Sequence, residues 1–470
     1  MLFSEPLPFV GLYLEKLNKA IEKHKPGYQL SLTQKSWLSF CLMGILITNS
    51  VCWTKFERAS LGTYSVRALS WMFRYSKVPW TYLLQISVIL ILEEYGITQG
   101  VLVIDDSDKK RSKSAKKIHR VHKIFDKTSG GYINGQTVVL LLLVTFQVTI
   151  PVGFEFYMLD PALKAWRKND EKLKKAGISK KNRPKEPKIN PNYPTKEQIA
   201  LILLKHFKSV HKKIKVKAII ADALYGTENF MNQASNLFDG VQVISQLHCN
   251  QNVCFRGHKK SVTTYFSQHP GITKTFSIRG GKEINADVSS ARLHVNAHHQ
   301  KRFVIAIKYQ GQNEYRYLVA SDMSWQTLDI IQAYTLRWLI EVFFEDWKSY
   351  EGWDQLAKQP GEEGSSRGLI LSLLLDHCFL LHPEQKARIE NKLPASTVGS
   401  LQRKSQVESL LVFIRGLLQD SNPGSKLELL SQTVDKLFEL AESKKHLSNR
   451  ELGRLEPTPG LIYRAQKAAS

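Results

Sequence analysis

The sequence predicts an α/β protein, in which a core of strands and helices is interrupted by a β-rich segment and flanked on both sides by helical regions. Three observations predict it. Two short apolar runs, VLVI and KAIIA, end on Asp105 and Asp222, with a helical pattern between them. Alternating segments such as RFVIAIKY and YRYLVAS run through residues 241–323. Helical periodicity governs residues 1–95 and returns from Thr327 onward.

The elements follow in chain order. GLYLEKLNKAIEKH after Pro8 is amphipathic, and a second helical stretch spans 31–53. Residues 64–80 interleave Arg67, Arg74 and Lys77 with Tyr64, Trp71, Phe73 and Tyr75, a pattern that suits either a helix docked on DNA or aromatics buried in a core. Past Gly96 and Gly100 comes the VLVI strand, whose tip presents carboxylates. Runs at 137–149 and 153–158 predict a hairpin that turns at Pro151 and Gly153. A helix starting near Thr195 leads to KAIIA and Asp222, with Gly226 close behind. The organisation expected is a helical N-terminal DNA-binding region (1–95), a core in two parts (96–240 and 324–360), a β-rich insertion (241–323) and a helical C-terminal region (361–470) for dimerisation or DNA end contacts.

Composition narrows the function. The 470 residues are 43% hydrophobic and carry 66 Lys+Arg against 42 Asp+Glu, a formal charge of +24. Disorder and a small disulfide scaffold are excluded, and the longest apolar runs, 83–92 and 138–144, are shorter than the ~18 residues a membrane span needs. Residues 1–12 lack the layout of a secretory signal, so a cytoplasmic protein is expected, in a bacterial cell nucleoid-associated, without membrane partners. Five unevenly spaced cysteines fit a reducing compartment. His248, Cys249, Cys254 and His258 are too loosely spaced for a zinc site, and read as a strand end with buried thiols. The charge predicts a polyanionic partner, because Lys and Arg that neutralise phosphates release condensed counterions. It concentrates in residues 108–124, with eight Lys/Arg including Lys109, Lys110 and Arg111, and in 164–188, with eleven. Both blocks read as solvated loops, the second kept extended by its prolines.

Asp105, Asp222 and Glu341 stand out as candidates for chemistry. Two-metal phosphoryl transfer needs carboxylates converging on divalent cations roughly 4 Å apart. Strand tips can present two of them. In YTLRWLIEVFFEDWK, read as one helix, Tyr334, Arg337, Glu341 and Lys348 fall at roughly 0°, −60°, −20° and −40° around the axis, a single narrow stripe. Leu336, Leu339, Ile340, Phe343 and Trp347 form the opposite, core-facing side. Arg forks onto phosphate oxygens and Lys acts as a point charge, so the stripe suits phosphate recognition.

At these positions the chain resembles the DDE transposases of bacterial insertion sequences, specifically the insertion-sequence-four group. The group's Y-(2)-R-(3)-E-(6)-K pattern is matched at every spacing by Tyr334, Arg337, Glu341 and Lys348. Asp105-Asp106-Ser107 resembles the group's first aspartate motif, and Asp222-Ala223-Leu224-Tyr225-Gly226 resembles its second. The Asp-Lys-Thr-Ser-Gly stretch at 126–130 is also similar, and the likeness covers roughly 95–355. A one-residue shift would make Asp106 rather than Asp105 the first ligand; the x-S spacing favours Asp105.

The resemblance implies an RNase H-like catalytic core that cuts and rejoins double-stranded DNA. Asp105, Asp222 and Glu341 would hold two Mg²⁺ or Mn²⁺ ions. Water would cleave the terminal inverted repeats, and the freed 3′-hydroxyl would attack target DNA, directly or after a hairpin end. Tyr334, Arg337 and Lys348 would contact phosphates. Trp325 or Trp338 would stack on an extruded base, with core packing the preferred role for Trp338. A homodimer is expected in the DNA complex. The competing expectations are a DNA-binding protein without catalysis and a host nuclease of the RNase H superfamily.

Overall fold

The computed structural model describes residues 6–111, 117–126, 130–188, 190–277, 283–356 and 359–437. Residues 112–116 of the first basic block, 127–129 of the Asp-Lys-Thr-Ser-Gly stretch and 438–470 of the helical tail lie outside the described residues. The chain divides into two units, Met1–Gly416 and Leu417–Ser470.

The first unit opens with helices α1 (Pro8–His24), α2 (Leu32–Thr48), α3 (Trp53–Ala59), α4 (Val66–Tyr75) and α5 (Trp80–Glu94). Ser31 and Gln34 form a capping box that starts α2, each side chain satisfying the other residue's amide. Strand β1 (Gln99–Lys110) then enters the core and is followed by β2 (His122–Asp126), β3 (Gly131–Val144) and β4 (Thr149–Tyr157). After α6 (Pro161–Lys175) and α7 (Lys196–Val210) come β5 (Lys215–Ala221), α8 (Glu228–Leu237) and β6 (Gln242–Leu247). β3 is antiparallel to β1 and β4 is antiparallel to β3, whereas β5 runs parallel to β1 and β6 parallel to β5. This is the RNase H-like core, with helices packed against a mixed sheet.

Next come β7 (Asn252–Phe255), β8 (His258–Ser261), α9 (Val262–Gln268), β9 (Ile272–Ser277), β10 (Glu283–Val295), β11 (Gln300–Tyr309) and β12 (Arg316–Ala320). They form no separate layer. β12 pairs with β6, so the described strands make one sheet in the order β2-β3-β1-β5-β6-β12-β11-β10-β7-β8, with β4 on β3 and β9 on β10. Helices α10 (Thr327–Thr335), α11 (Trp338–Tyr350), α12 (Gly361–Leu380), α13 (Pro383–Glu390) and α14 (Val398–Leu418) follow, and α15 (Pro423–Leu437) lies in the second unit. No single helix among the described residues is long and apolar enough to cross a membrane.

The N-terminal helices and the core share a buried polar chain. Tyr13 Oη lies 2.8 Å from Ser87 Oγ, which is 2.8 Å from His377 Nδ1, while His377 Nε2 donates to the Pro151 carbonyl at 3.0 Å. Burial pushes the His377 imidazole down to about 4, so the ring is neutral and each nitrogen has its partner. The chain ties α1, α5, α12 and β4 together.

Several expectations are corrected. The hairpin turns at residues 145–148, where Thr145 Oγ1 donates to the Val148 carbonyl, and not at Pro151 and Gly153. Those two lie inside β4, an edge strand with a register shift opposite Leu141 and Leu142, where a missing N–H is tolerated. The start of the 108–124 block is strand, since β1 runs through Lys110. Residues 161–175 are helix with no buried side chain: Asp160 caps the Ala162 amide and Pro161 suits the first turn, while the proline-broken stretch starts only at Pro184. Cys249 is exposed and Cys254 half-buried, so the thiols are not core.

Candidate active site

The parallel register of β1 and β5 sets Ile104 opposite Ala221. The next residue in each case is an aspartate: Asp222 just past the end of β5, and Asp105 inside β1, paired with Leu140 rather than at the strand tip expected. The two stand abreast where the parallel pairing, spaced ~4.8 Å, ends. The turn after Asp222 is held by two hydrogen bonds. Ser245 Oγ donates to the Asp222 carbonyl at 2.7 Å, and His298 Nε2 donates to the Gly226 carbonyl at 2.9 Å. Gly226 leaves room for this approach, because a Cβ there would stand 2.3 Å from the Gln246 carbonyl oxygen. Arg302 Nε donates to His298 Nδ1 at 3.2 Å, which fixes the tautomer, and burial followed by the Arg302 charge pushes the imidazole down to about 4.

The single helix expected over 334–348 is two helices. Leu336 and Arg337 join them through tight i→i+3 bonds: Arg337 N donates to Tyr334 O at 3.0 Å, and Ile340 N to Arg337 O at 3.1 Å. Leu336 and Leu339 are half-buried, while Ile340, Phe343 and Trp347 are core. The turn brings Arg337 between two carboxylates. Its Nη1 donates to Asp105 Oδ2 at 2.9 Å and its Nη2 donates to Glu341 Oε1. Burial pushes Asp105 up to about 7, with Asp222 and Asp106 adding to the rise while the Asp106 amide and Arg337 oppose it. Burial would lower Arg337, yet Tyr334, Glu341, Asp105 and Asp222 hold it above its usual value. Asp106 faces elsewhere, bonded to Lys196 Nζ at 2.7 Å.

The other predicted residues divide. Tyr334 is buried, and burial raises its pKa. Lys348 lies beyond Glu341 on α11, its Nζ 5.9 Å from the Phe344 ring centroid, and does not join the Arg337 cluster. Lys109 is 2% exposed, sits 5.6 Å from the Trp353 ring centroid, and is pushed down to about 7 by burial and then by Arg111. Arg111 is buried too, donating to Gln136 Oε1 and the Leu356 carbonyl, which leaves Lys110 as the exposed member of the trio. Trp325 is half-buried. Trp338, expected in the core, is 64% exposed and lines a cavity of about 560 Å³ with Tyr334, Arg337, Tyr309 and Arg316.

Sequence reasoning missed Lys196, Ser245 and His298, whose contacts reach across the chain. Tyr225 sits inside the Asp222-to-Gly226 motif, where no sequence signal of its own marks it. Its hydroxyl is fully buried without a hydrogen-bond partner, and beyond burial the charges of Asp106, Asp105, Asp222 and Glu197 raise its pKa.

The donor set is all carboxylate oxygen, the chemistry that suits Mg²⁺ or Mn²⁺ rather than a softer metal. Among the described residues no three His, Cys, Asp or Glu side chains are disposed to hold a metal ion. By donor chemistry the three acids suit such ions, and strand register places two of them, Asp105 and Asp222, side by side.

Residues 31–294 match the family described as DDE superfamily endonuclease, a match that takes in Asp105 and Asp222 and ends before Glu341. No curated protein matches the chain. The crystal structure of the NurA nuclease from Sulfolobus solfataricus aligns over 50% of this chain and 72% of that chain, at 7% identity and a TM-score of 0.24, too low a likeness to carry an argument.

Proposed function

The chain belongs to the DDE superfamily of endonucleases, and from that premise we propose that it is a transposase of the insertion-sequence-four group. It binds the terminal inverted repeats of its element, cleaves them, and joins the 3′-hydroxyl ends to target DNA. The observation that carries this reading is the approach of Asp105 and Glu341 to one guanidinium, with Asp222 abreast of Asp105.

In this reading Asp105, Asp222 and Glu341 hold two Mg²⁺ or Mn²⁺ ions. Such ions supply Lewis acidity and a water ionised near neutral pH. The chain's own residues set the geometry. Ser245 and His298 fix the turn that carries Asp222, and the tight turn at Leu336–Arg337 aims Glu341 toward β1. Arg337 forks onto a backbone phosphate and Lys348 contacts a neighbouring one, whereas the Tyr334 hydroxyl is buried in this DNA-free structure. Lys110 adds exposed charge at the end of β1, and Trp325 and Trp338 offer rings to a distorted DNA end. Asp105 is favoured over Asp106 as the first ligand because strand register sets it level with Asp222 and it shares the Arg337 guanidinium with Glu341, whereas Asp106 pairs with Lys196.

Helix α4 supports DNA binding by residues 1–95. Leu69 and Phe73 are its buried side, while Arg67, Trp71, Arg74 and Tyr75 share the solvent side, with Trp71 57% and Tyr75 62% exposed. The helix carries no acid. Arg367 of α12 donates to the Phe73 and Arg74 carbonyls at 2.9 Å and anchors its end. A face of cations and rings suits phosphates and bases. Joining two ends requires two copies, so the complex on DNA is a homodimer, with residues 361–470 contributing.

The test is Mg²⁺-dependent cleavage of DNA carrying the element's ends by wild type, Asp105→Asn, Asp222→Asn and Glu341→Gln. All three variants should bind the ends and fail to cut. Cleavage retained in Glu341→Gln contradicts the assignment, and cutting without preference for the ends identifies a nuclease of another kind.

A further inference from the structure

Two of the three carboxylates assigned to the divalent cations are engaged by one side chain. Arg337 reaches Asp105 Oδ2 with Nη1 and Glu341 Oε1 with Nη2, and the pair with Asp105 is shielded, the two side chains 19% and 16% exposed. A carboxylate oxygen that accepts a charge-assisted bond from a guanidinium offers that lone pair less well to a cation, so Arg337 and a metal ion compete for the same oxygens. Lys196 does not share this position, since its partner is Asp106.

We infer that Arg337 is an ionic latch: in the DNA-free protein it occupies the cation-binding carboxylates, and an arriving backbone phosphate takes the guanidinium and releases Asp105 and Glu341 to divalent cations. The inference rests on the assignment of Asp105, Asp222 and Glu341 given above. Arginine forks onto phosphate as it does onto carboxylate, so the exchange replaces one pair of charge-assisted bonds with another. What it leaves behind is Asp105 and Glu341 with those oxygens open, level with Asp222 on the sheet, while Lys196 stays paired with Asp106. Cation and DNA therefore bind with positive coupling, by the same factor in either order. Cleavage is thereby confined to protein already seated on DNA. The backbone bonds at Leu336–Arg337 do not involve the guanidinium, so the turn survives its removal.

The experiment is Mn²⁺ binding to the full-length protein, followed by electron paramagnetic resonance, for wild type, Arg337→Gln, Arg337→Lys, Asp105→Asn and Glu341→Gln, with circular dichroism checking each fold. In the absence of DNA, Arg337→Gln should bind Mn²⁺ about ten-fold more tightly than wild type, inside the roughly 5–150-fold range of ordinary coupling, and Arg337→Lys should fall between. Duplex DNA should tighten Mn²⁺ binding in wild type and leave Arg337→Gln nearly unmoved. Unchanged or weaker Mn²⁺ binding by Arg337→Gln overturns the latch; if Asp105→Asn still loses Mn²⁺, the carboxylate assignment survives that failure. If Asp105→Asn and Glu341→Gln both bind Mn²⁺ as wild type does, the assignment falls and takes the latch with it.

Discussion

Asp105 and Asp106 are neighbours on one strand and meet different partners, Arg337 for one and Lys196 for the other. Sequence spacing favours Asp105, and the register of β1 with β5 sets that residue level with Asp222. Asp222 was legible because it ends an apolar run in register with the first. Its supports were not: His298 lies 72 residues from Gly226, and nothing local marks a histidine as the donor to a distant carbonyl. Gly226 gives a prediction at this scale. Its φ is −78°, which any residue can adopt, so the demand for glycine is steric, from the Gln246 carbonyl. Gly226→Ala should destabilise the fold by about 1–3 kcal/mol and slow cleavage through displacement of Asp222, checked by thermal melting and single-turnover kinetics. An unchanged Tm would show that the turn has slack.

Among the elements, helices with strong caps were easiest to read, as with the helix begun by Thr195, whose side chain and that of Gln198 form a capping box. Charge misled elsewhere. Lys109 and Arg111 read as loop because their composition is that of a solvated run, but Trp353 and the Leu356 carbonyl, over 240 residues away, cover them. Periodicity misled at Leu336–Arg337, where both residues have helical angles and only the i→i+3 bonding divides α10 from α11. For α4 the sequence left DNA docking and core burial open, and the answer is divided, with Phe73 inside and Trp71 and Tyr75 outside. Arg67→Ala with Arg74→Ala should weaken DNA binding and lower the slope of log affinity against log salt by about two, while Trp71→Ala should weaken binding with the slope unchanged. Fluorescence anisotropy over ~50–200 mM salt measures both. A double variant that binds DNA as wild type does removes α4 from the interface.

For the whole molecule, the charge of +24 predicts binding that falls steeply with salt, and the sequence located much of it in 108–124 and 164–188. Part of that charge is interior, as Lys109 and Arg111 show, so the formal count overstates what faces DNA. Acids in the interior set a pH dependence of stability. Glu351 and Asp376 are buried together between α11 and α12; burial raises both, and pushes Asp376 from 3.8 to about 8. The folded chain thus keeps a proton that the unfolded chain has lost, so this contribution is complete below about pH 4 and is lost as pH rises toward about 8. Asp376→Asn, which needs no proton, should gain Tm relative to wild type as pH rises from about 5 to about 8. A constant difference across that range would mean that the pair ionises without cost. The central claim, that Asp105, Asp222 and Glu341 share one cation site on DNA-bound protein, is tested most directly by loading the complex with Fe²⁺ and mapping the peptide cuts made by locally generated hydroxyl radicals. Cuts beside residues 105, 222 and 341 that Mg²⁺ suppresses are expected; cuts elsewhere, or at one of the three alone, overturn the shared site.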